Sequence, residues 1–248
     1  NTVLLGFLKN ALAVGYFAAA TKVMQMLLTM SVCLGSVMMP RASHLIAENK
    51  EDEFNRLIQK SYDFTLAIAL PMTIGLIFCA PSLITTLCGV KFEHSILPSQ
   101  IIAPIILMVA ISNVFGIQVL FPKGKINIVT LCCGIGAVAD LILNLCLIPF
   151  FSYIGTSIAY LGAEVATTVS MYFIGRRYIP IIYFKKSHLT YALGCIVMAF
   201  ALYGLSLLQL PTLTILLLQG CCGVLAYFII LCICKDEMLV QILSRIKR

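Results

Sequence analysis

Three ionisable residues, Lys22, Asp140 and Glu164, stand inside long apolar runs of the sequence, each among regularly spaced polar neighbours. A charge at the centre of a membrane helix costs about 2.5 to 3.5 kcal/mol on the insertion scale, so such a residue needs a reason to be there. Behind Lys22, residues Gln25, Thr29, Cys33 and Ser36 recur at spacings of three and four, which draws one polar stripe along one helix face. Asp140 has Asn144 one turn later and Gly136 one turn before, a second stripe in which glycine permits close helix approach. Glu164 has Thr156 and Tyr160 on one side and Thr167 and Thr168 on the other. A buried carboxylate titrates when a neighbouring charge comes or goes, so a cation and two carboxylates at one depth would suit an ion-coupled path for an anion.

The runs bearing Asp140 and Glu164 are joined by a short connector near Phe150 to Ile154. Both residues lie about nine positions from it, roughly 13 Å at 1.5 Å per residue, and Lys22 enters its own run from the same side by a similar distance. The three are expected to share a layer if their helices face one cavity. Plainer readings stand beside this one: Lys22 snorkelling to an interface, Asp140 and Asn144 as interhelical hydrogen-bond glue, and Glu164 in a structural pairing with a Thr or Lys elsewhere.

The elements that must position these residues follow from composition. The chain of 248 residues is 61% hydrophobic and only 11% charged, with a mean hydropathy of +1.03, against roughly 25% charged residues in soluble domains. Seven apolar runs, at 13–39, 62–88, 100–121, 127–149, 155–175, 189–208 and 212–234, each approach the roughly 20 residues a bilayer requires. Val3 to Leu8 reads as the end of an eighth, truncated span, and the sequence as a fragment that starts without Met. Continuous apolarity, instead of alternation, selects helices over a barrel. The expected fold is all-α, a polytopic transmembrane helix bundle.

Basic residues alternate with these runs. Arg41, Lys50, Arg56 and Lys60 follow the first; Lys123 and Lys125 the third; Arg176, Arg177, Lys185 and Lys186 the fifth; Lys235, Arg245, Lys247 and Arg248 close the chain. The alternate loops hold only Lys9 and Lys91. The positive-inside rule therefore places the first set and the C-terminus in the cytoplasm. The net charge of +7 belongs to this topology and to anionic headgroups, not to nucleic acid. Nine of the eleven cysteines fall inside apolar runs and the other two, Cys88 and Cys234, at their ends, and no His stands near the Cys132-Cys133, Cys221-Cys222 or Cys232 and Cys234 pairs, so they read as small packing residues and not as metal ligands. No phosphate-binding glycine loop, HExxH pair or GxSxG elbow occurs, and no cofactor is expected. The mixed-charge segment from Arg41 to Lys60 is expected either as an amphipathic surface helix or as a solvated connector. Pro71, Pro81, Pro104 and Pro149 permit kinks.

Six stretches in order, VGYFAAATKVMQ, MMPRASHL, LPMTIGLIF, FPKGK, GAVADLILNLCLIP and IGTSIAYLGAEVATT, resemble the second half of the O-antigen and polysaccharide flippases of the multidrug/oligosaccharidyl-lipid/polysaccharide exporter superfamily. The resemblance covers residues 1–177, and residues 178–248 then read as two accessory spans with a basic cytoplasmic tail. It implies the second of two helix bundles related by pseudo-two-fold symmetry, whose first half lies outside these residues. It also implies an undecaprenyl-diphosphate-linked oligosaccharide as cargo in the bacterial inner membrane, coupling to H+ or Na+, and polysaccharide polymerase machinery as a partner. Lys22, Arg41, Lys123 and Lys125 match basic positions of the family pattern; Gln25 and Asn144 complete the expected path, with Asp140 and Glu164 as ion-coupling groups. Asp140 stands where the pattern leads one to expect Asn, so a proton-carrying role for it is particular to this chain. A drug/cation antiporter of the same superfamily is the nearest rival. A membrane polymerase or ligase would need a sizeable outer loop with Arg and His, whereas the outer loops here offer only Lys91 and His94.

Overall fold

The computed structural model describes residues 1–183, 185–208 and 211–234, without the side chains of Leu34, Ser36 and Lys186. The basic residues from Lys235 to Arg248 therefore lie outside the described residues, as does the side chain of Ser36, the last member of the stripe that begins at Lys22. Helices α1 (Thr2–Leu8), α2 (Ala11–Ala47), α3 (Glu51–Leu87), α4 (Ile96–Ile102), α5 (Ile105–Asn113), α6 (Ile126–Gly175), α7 (Lys186–Ser206) and α8 (Thr212–Ile233) follow in order. A 3-10 turn, Val90–Ser95, leads into α4, and a π-helical stretch, Val114–Leu120, follows α5. No strand occurs among the described residues. Apolar runs leave each peptide group no partner but its own helix, and this is the architecture lipid imposes. Asn10 opens α2 by accepting from the Ala13 amide at 2.9 Å.

Among the described residues five helices are long and apolar enough to cross a membrane, six with the bent pair of α4 and α5. Helix α6, taken once in that count, is a hairpin of two arms because it folds back at Ser152, whose φ of 51° and ψ of −128° are not helical. Its arms, 126–151 and 153–175, run side by side. A Cβ added at Gly155 would stand 2.5 Å from the Leu147 carbonyl oxygen, and one at Gly136 would collide with the Thr167 hydroxyl. Small residues at these two positions let the arms touch.

Two expectations need correction. The segment from Arg41 to Lys60 is neither a separate surface helix nor a solvated connector: α2 and α3 run through it and reverse over Glu48, Asn49 and Lys50. The cause is apolar, since Ala42, Leu45, Phe54, Leu57 and Ile58 are all buried in one core, which draws both helix ends inward. Asn49 takes the left-handed turn at φ 57°, as Asn does more readily than most residues. In that turn Lys50 pairs with Glu48 at 2.8 Å, which holds the Glu48 carboxyl below its ordinary value. The run at 100–121 is not one straight span. It breaks between α4 and α5 by 43° at Pro104, which lacks the backbone donor. Pro71 and Pro81 are accommodated inside α3.

Helix α3 is the common neighbour. Tyr191, Met198 and Leu202 of α7 and Tyr227 and Leu231 of α8 share one buried cluster with Phe54, Tyr62 and Leu66 of α3. The Tyr227 hydroxyl donates to the Ala67 carbonyl at 2.9 Å, and Ser82 donates to Gln219 Oε1 at 2.6 Å. None of the eleven cysteines, all among the described residues, forms a disulfide.

The hairpin within α6 depends on bare backbone at its turn. Gly155→Ala is expected to lower stability by about 1 to 3 kcal/mol through overpacking, whereas Gly134→Ala, which meets nothing within 4 Å, leaves it unchanged. Thermal unfolding of the two variants in detergent checks the contrast.

Candidate functional site

An open cavity of about 440 Å³ lies between the π-helical stretch, the two arms of α6 and Asn1. Its polar lining comes from Asn1, Ser112, Asn113, Asp140, Glu164 and Thr167. The first arm of α6 brings Asp140 and, one turn on, Asn144; the second brings Glu164 and Thr167. Gly136 lets the second arm come close enough for Thr167 to stand against the first.

Asn144 is fully buried and organises this corner. Its amide donates to Asn1 Oδ1 at 2.7 Å, to the Asp140 carbonyl at 2.8 Å and to Asp140 Oδ1 at 3.0 Å. Its own Oδ1 has no hydrogen-bond partner, and leaving a buried acceptor unpaired costs about 1 to 3 kcal/mol. Thr168 fastens the second arm to α5 by donating to the Met108 carbonyl at 3.1 Å. Two carboxylates and a threonine hydroxyl thus line one cavity, a set able to take up a proton when a neighbouring charge changes.

The structure thus brings Asp140 and Glu164 to one cavity, with Asn144 braced behind Asp140. Lys22 is not among the lining residues: it is exposed on α2, as are Gln25 and Thr29, beside Met26 and Met30, each more than half exposed. The polar stripe of α2 therefore faces away from this bundle's own core. Arg41 is exposed further along the same helix. Lys123 and Lys125 sit in the turn after the π-helical stretch, where Gly124 adopts φ 67°. Their ammonium groups lie over aromatic faces, Lys123 on Phe54 and Lys125 on Tyr178, each at 5.1 Å.

Residues 2–220 match the model of a family described as "Lipid II flippase MurJ". The chain belongs to the MurJ lipid II flippase family. A solved MurJ structure in the inward closed conformation superposes with a TM-score of 0.82 at 16% identity, over 95% of this chain and 50% of that one. A protein of Escherichia coli (strain K12) named "Putative O-antigen transporter" is 26% identical over 172 residues, 68% of this chain and 40% of its own length. An uncharacterized membrane protein of Methanocaldococcus jannaschii is 28% identical over 165 residues, 66% of this chain and 31% of its own length. The chain spans less than half the length of these two relatives. The likeness to flippases of lipid-linked saccharides stands, with MurJ as the family within that group.

One polar cluster of this MurJ-family chain escaped sequence reasoning. Asp63, at the margin of the second apolar run, accepts from Gln59 at 2.7 Å and Lys185 at 3.1 Å and faces His188 Nε2 at 3.0 Å. Two of these partners lie more than 120 positions away, and no spacing rule links them.

Asp140 and Asn144 are expected to act as a unit. A double-mutant cycle of Asp140→Ala and Asn144→Ala, read by thermal unfolding, should show a coupling of about 0.5 to 3 kcal/mol. Additive effects would mean the two side chains are independent.

Proposed function

We propose that this bundle is one half of a flippase that carries an undecaprenyl-diphosphate-linked oligosaccharide across the bacterial inner membrane by alternating access, coupled to H+ or Na+. The observation that carries this reading is the shared cavity of Asp140 and Glu164 inside an apolar helix bundle of a lipid-flippase family. Charges kept at such depth need a function that outweighs their cost, and carboxylates whose protonation or cation occupancy changes with conformation supply a coupling device.

In this mechanism the exposed stripe of α2 lines the route of the head group. Lys22 meets the diphosphate charge, Gln25 hydrogen-bonds the sugar or phosphate oxygens, and the facing wall is a second bundle contributed by sequence outside these 248 residues. Arg41, Lys123 and Lys125 stand at the cytoplasmic entrance. The aromatic rings beneath Lys123 and Lys125 hold the two ammonium groups in place while leaving their outer sides open to phosphate oxygens. The lipid tail stays in the membrane while the two bundles rock about the polar layer. The positive-inside pattern supports a cytoplasmic C-terminus, and a polysaccharide polymerase would take the cargo on the far side.

In the full-length transporter reconstituted in vesicles, Glu164→Gln and Asp140→Asn are expected to slow translocation at least about tenfold, or 1.4 kcal/mol of barrier, and to abolish its response to the driving ion. Lys22→Ala is expected to weaken capture of the diphosphate-linked cargo with unchanged protein abundance. Normal, ion-responsive transport by all three variants would refute the assignment.

A further inference from the structure

The connector between α6 and α7 is tied to α3 by side chains that the transport path does not use. Gln59 of α3 pairs with Ile182 as a backbone strand would: its Oε1 accepts from the Ile182 amide at 2.8 Å and its Nε2 reaches the Ile182 carbonyl at 3.4 Å. One turn further on, Asp63 receives Lys185 on one oxygen, at 3.1 Å, and Gln59 on the other, at 2.7 Å. His188, in the first turn of α7, stands between Asp63 and the connector. Its Nε2 is 3.0 Å from Asp63 Oδ1 and its Nδ1 is 2.8 Å from the Tyr183 carbonyl oxygen.

Both atoms facing the ring are pure acceptors. A neutral imidazole has one N–H and one lone pair, so it can satisfy one of them and must present its lone pair to the other. Only the imidazolium donates at both ends. The side chains of His188 and Asp63 are 13% and 15% exposed, so water does little to relieve a mismatch.

We infer that His188 works as a doubly protonated clasp, joining the α6 to α7 connector to α3, and that loss of one proton releases the connector at Tyr183. The acceptor at Asp63 is charged and holds the remaining N–H more strongly, so the Tyr183 carbonyl is the end that lets go. The other titratable groups facing the ring are Asp63 and Tyr62 on α3, Lys185 and Tyr183 on the connector, and Tyr191 on α7. Burial, and then the neighbouring Tyr172 and Tyr62 rings, pushes the Tyr183 phenol up to about 12, so it stays uncharged while an imidazole titrates. Histidine is the side-chain type among these that changes charge between pH 5 and 8. Docking is therefore tight at low pH and loosens as pH rises. The clasp places the foot of the α7 and α8 hairpin under proton control, independently of which cargo the transporter moves.

The chain has three histidines, and the other two, His44 and His94, are exposed, which makes the clasp directly observable. In full-length protein labelled with nitrogen-15 histidine, His188 is assigned by the signal lost in His188→Gln. At a pH where His44 and His94 are charged, both of its ring nitrogens should carry protons. Titration upward until one proton leaves should be accompanied by about tenfold faster hydrogen exchange at the Ile182 amide, corrected for the intrinsic rate, as expected when one hydrogen bond from a charged donor is lost. His188→Gln, which cannot titrate, should show the faster exchange at every pH. A singly protonated His188 at a pH where His44 and His94 are charged would overturn the inference. So would an Ile182 amide whose protection is unchanged when His188 loses its proton. Both readouts on the unmutated protein decide the matter even if the variant fails to fold, and neither depends on transport.

Discussion

Lipid offers a polar side chain no partner, so each buried hydroxyl or amide in this bundle must find its own inside the protein. Apolar packing holds the helices together without specifying how far one slides along the next. Directional bonds do that here. Ser61 of α3 donates to Gln118 of the π-helical stretch at 2.5 Å, Ser82 to Gln219 of α8 at 2.6 Å, and Tyr227 of α8 back to the Ala67 carbonyl at 2.9 Å. All three use α3, along one helix and at different depths. Helix α3 is thus the post to which the rest is pinned, and α7 and α8 take their register from it.

The cavity between α5 and α6 obeys the opposite rule. Behind its wall Asn144 spends its amide on Asn1 and Asp140, and its own oxygen is buried without a partner. Bare backbone makes room for this. Gly136 admits Thr167, and on α2 Gly35 admits the Asn113 side chain, where any Cβ would collide with them. Closed polar pairs fix the frame, and the cavity keeps two carboxylates on its lining.

Much of this was legible because the bilayer writes long, simple patterns. The apolar runs set the helices, the basic loops set their alternation, and equal distances from the Phe150 to Ile154 connector placed Asp140 and Glu164 at one depth. What periodicity could not reveal was rotation. Spacing leads one to expect Lys22 at that depth too, yet its stripe is on the exposed side of α2, because the direction of a helix face depends on packing partners far away in sequence. The segment from Arg41 to Lys60 looked like surface on account of its charges, but Phe54 and Ile58 within it are fully buried and decided its fate. Lys185 and His188 as partners of Asp63 were invisible for the same reason as the Ser82 and Gln219 pair: each contact spans more than 120 positions.

The π-helical winding of Val114–Leu120 carries a geometric consequence for the basic turn beyond it. Each residue added to or removed from a helical turn rotates everything downstream by about 100°. The upper part of this stretch, at Gly116 and Ile117, borders the cavity, and its lower end delivers Lys123 to Phe54 and Lys125 to Tyr178. A change between wide and ordinary winding would therefore turn the two ammonium groups off their rings like a key in a lock, with almost no sliding along the axis. Cavity and basic turn are thus joined by one short helical stretch, and where the two ammonium groups lie depends on how it is wound.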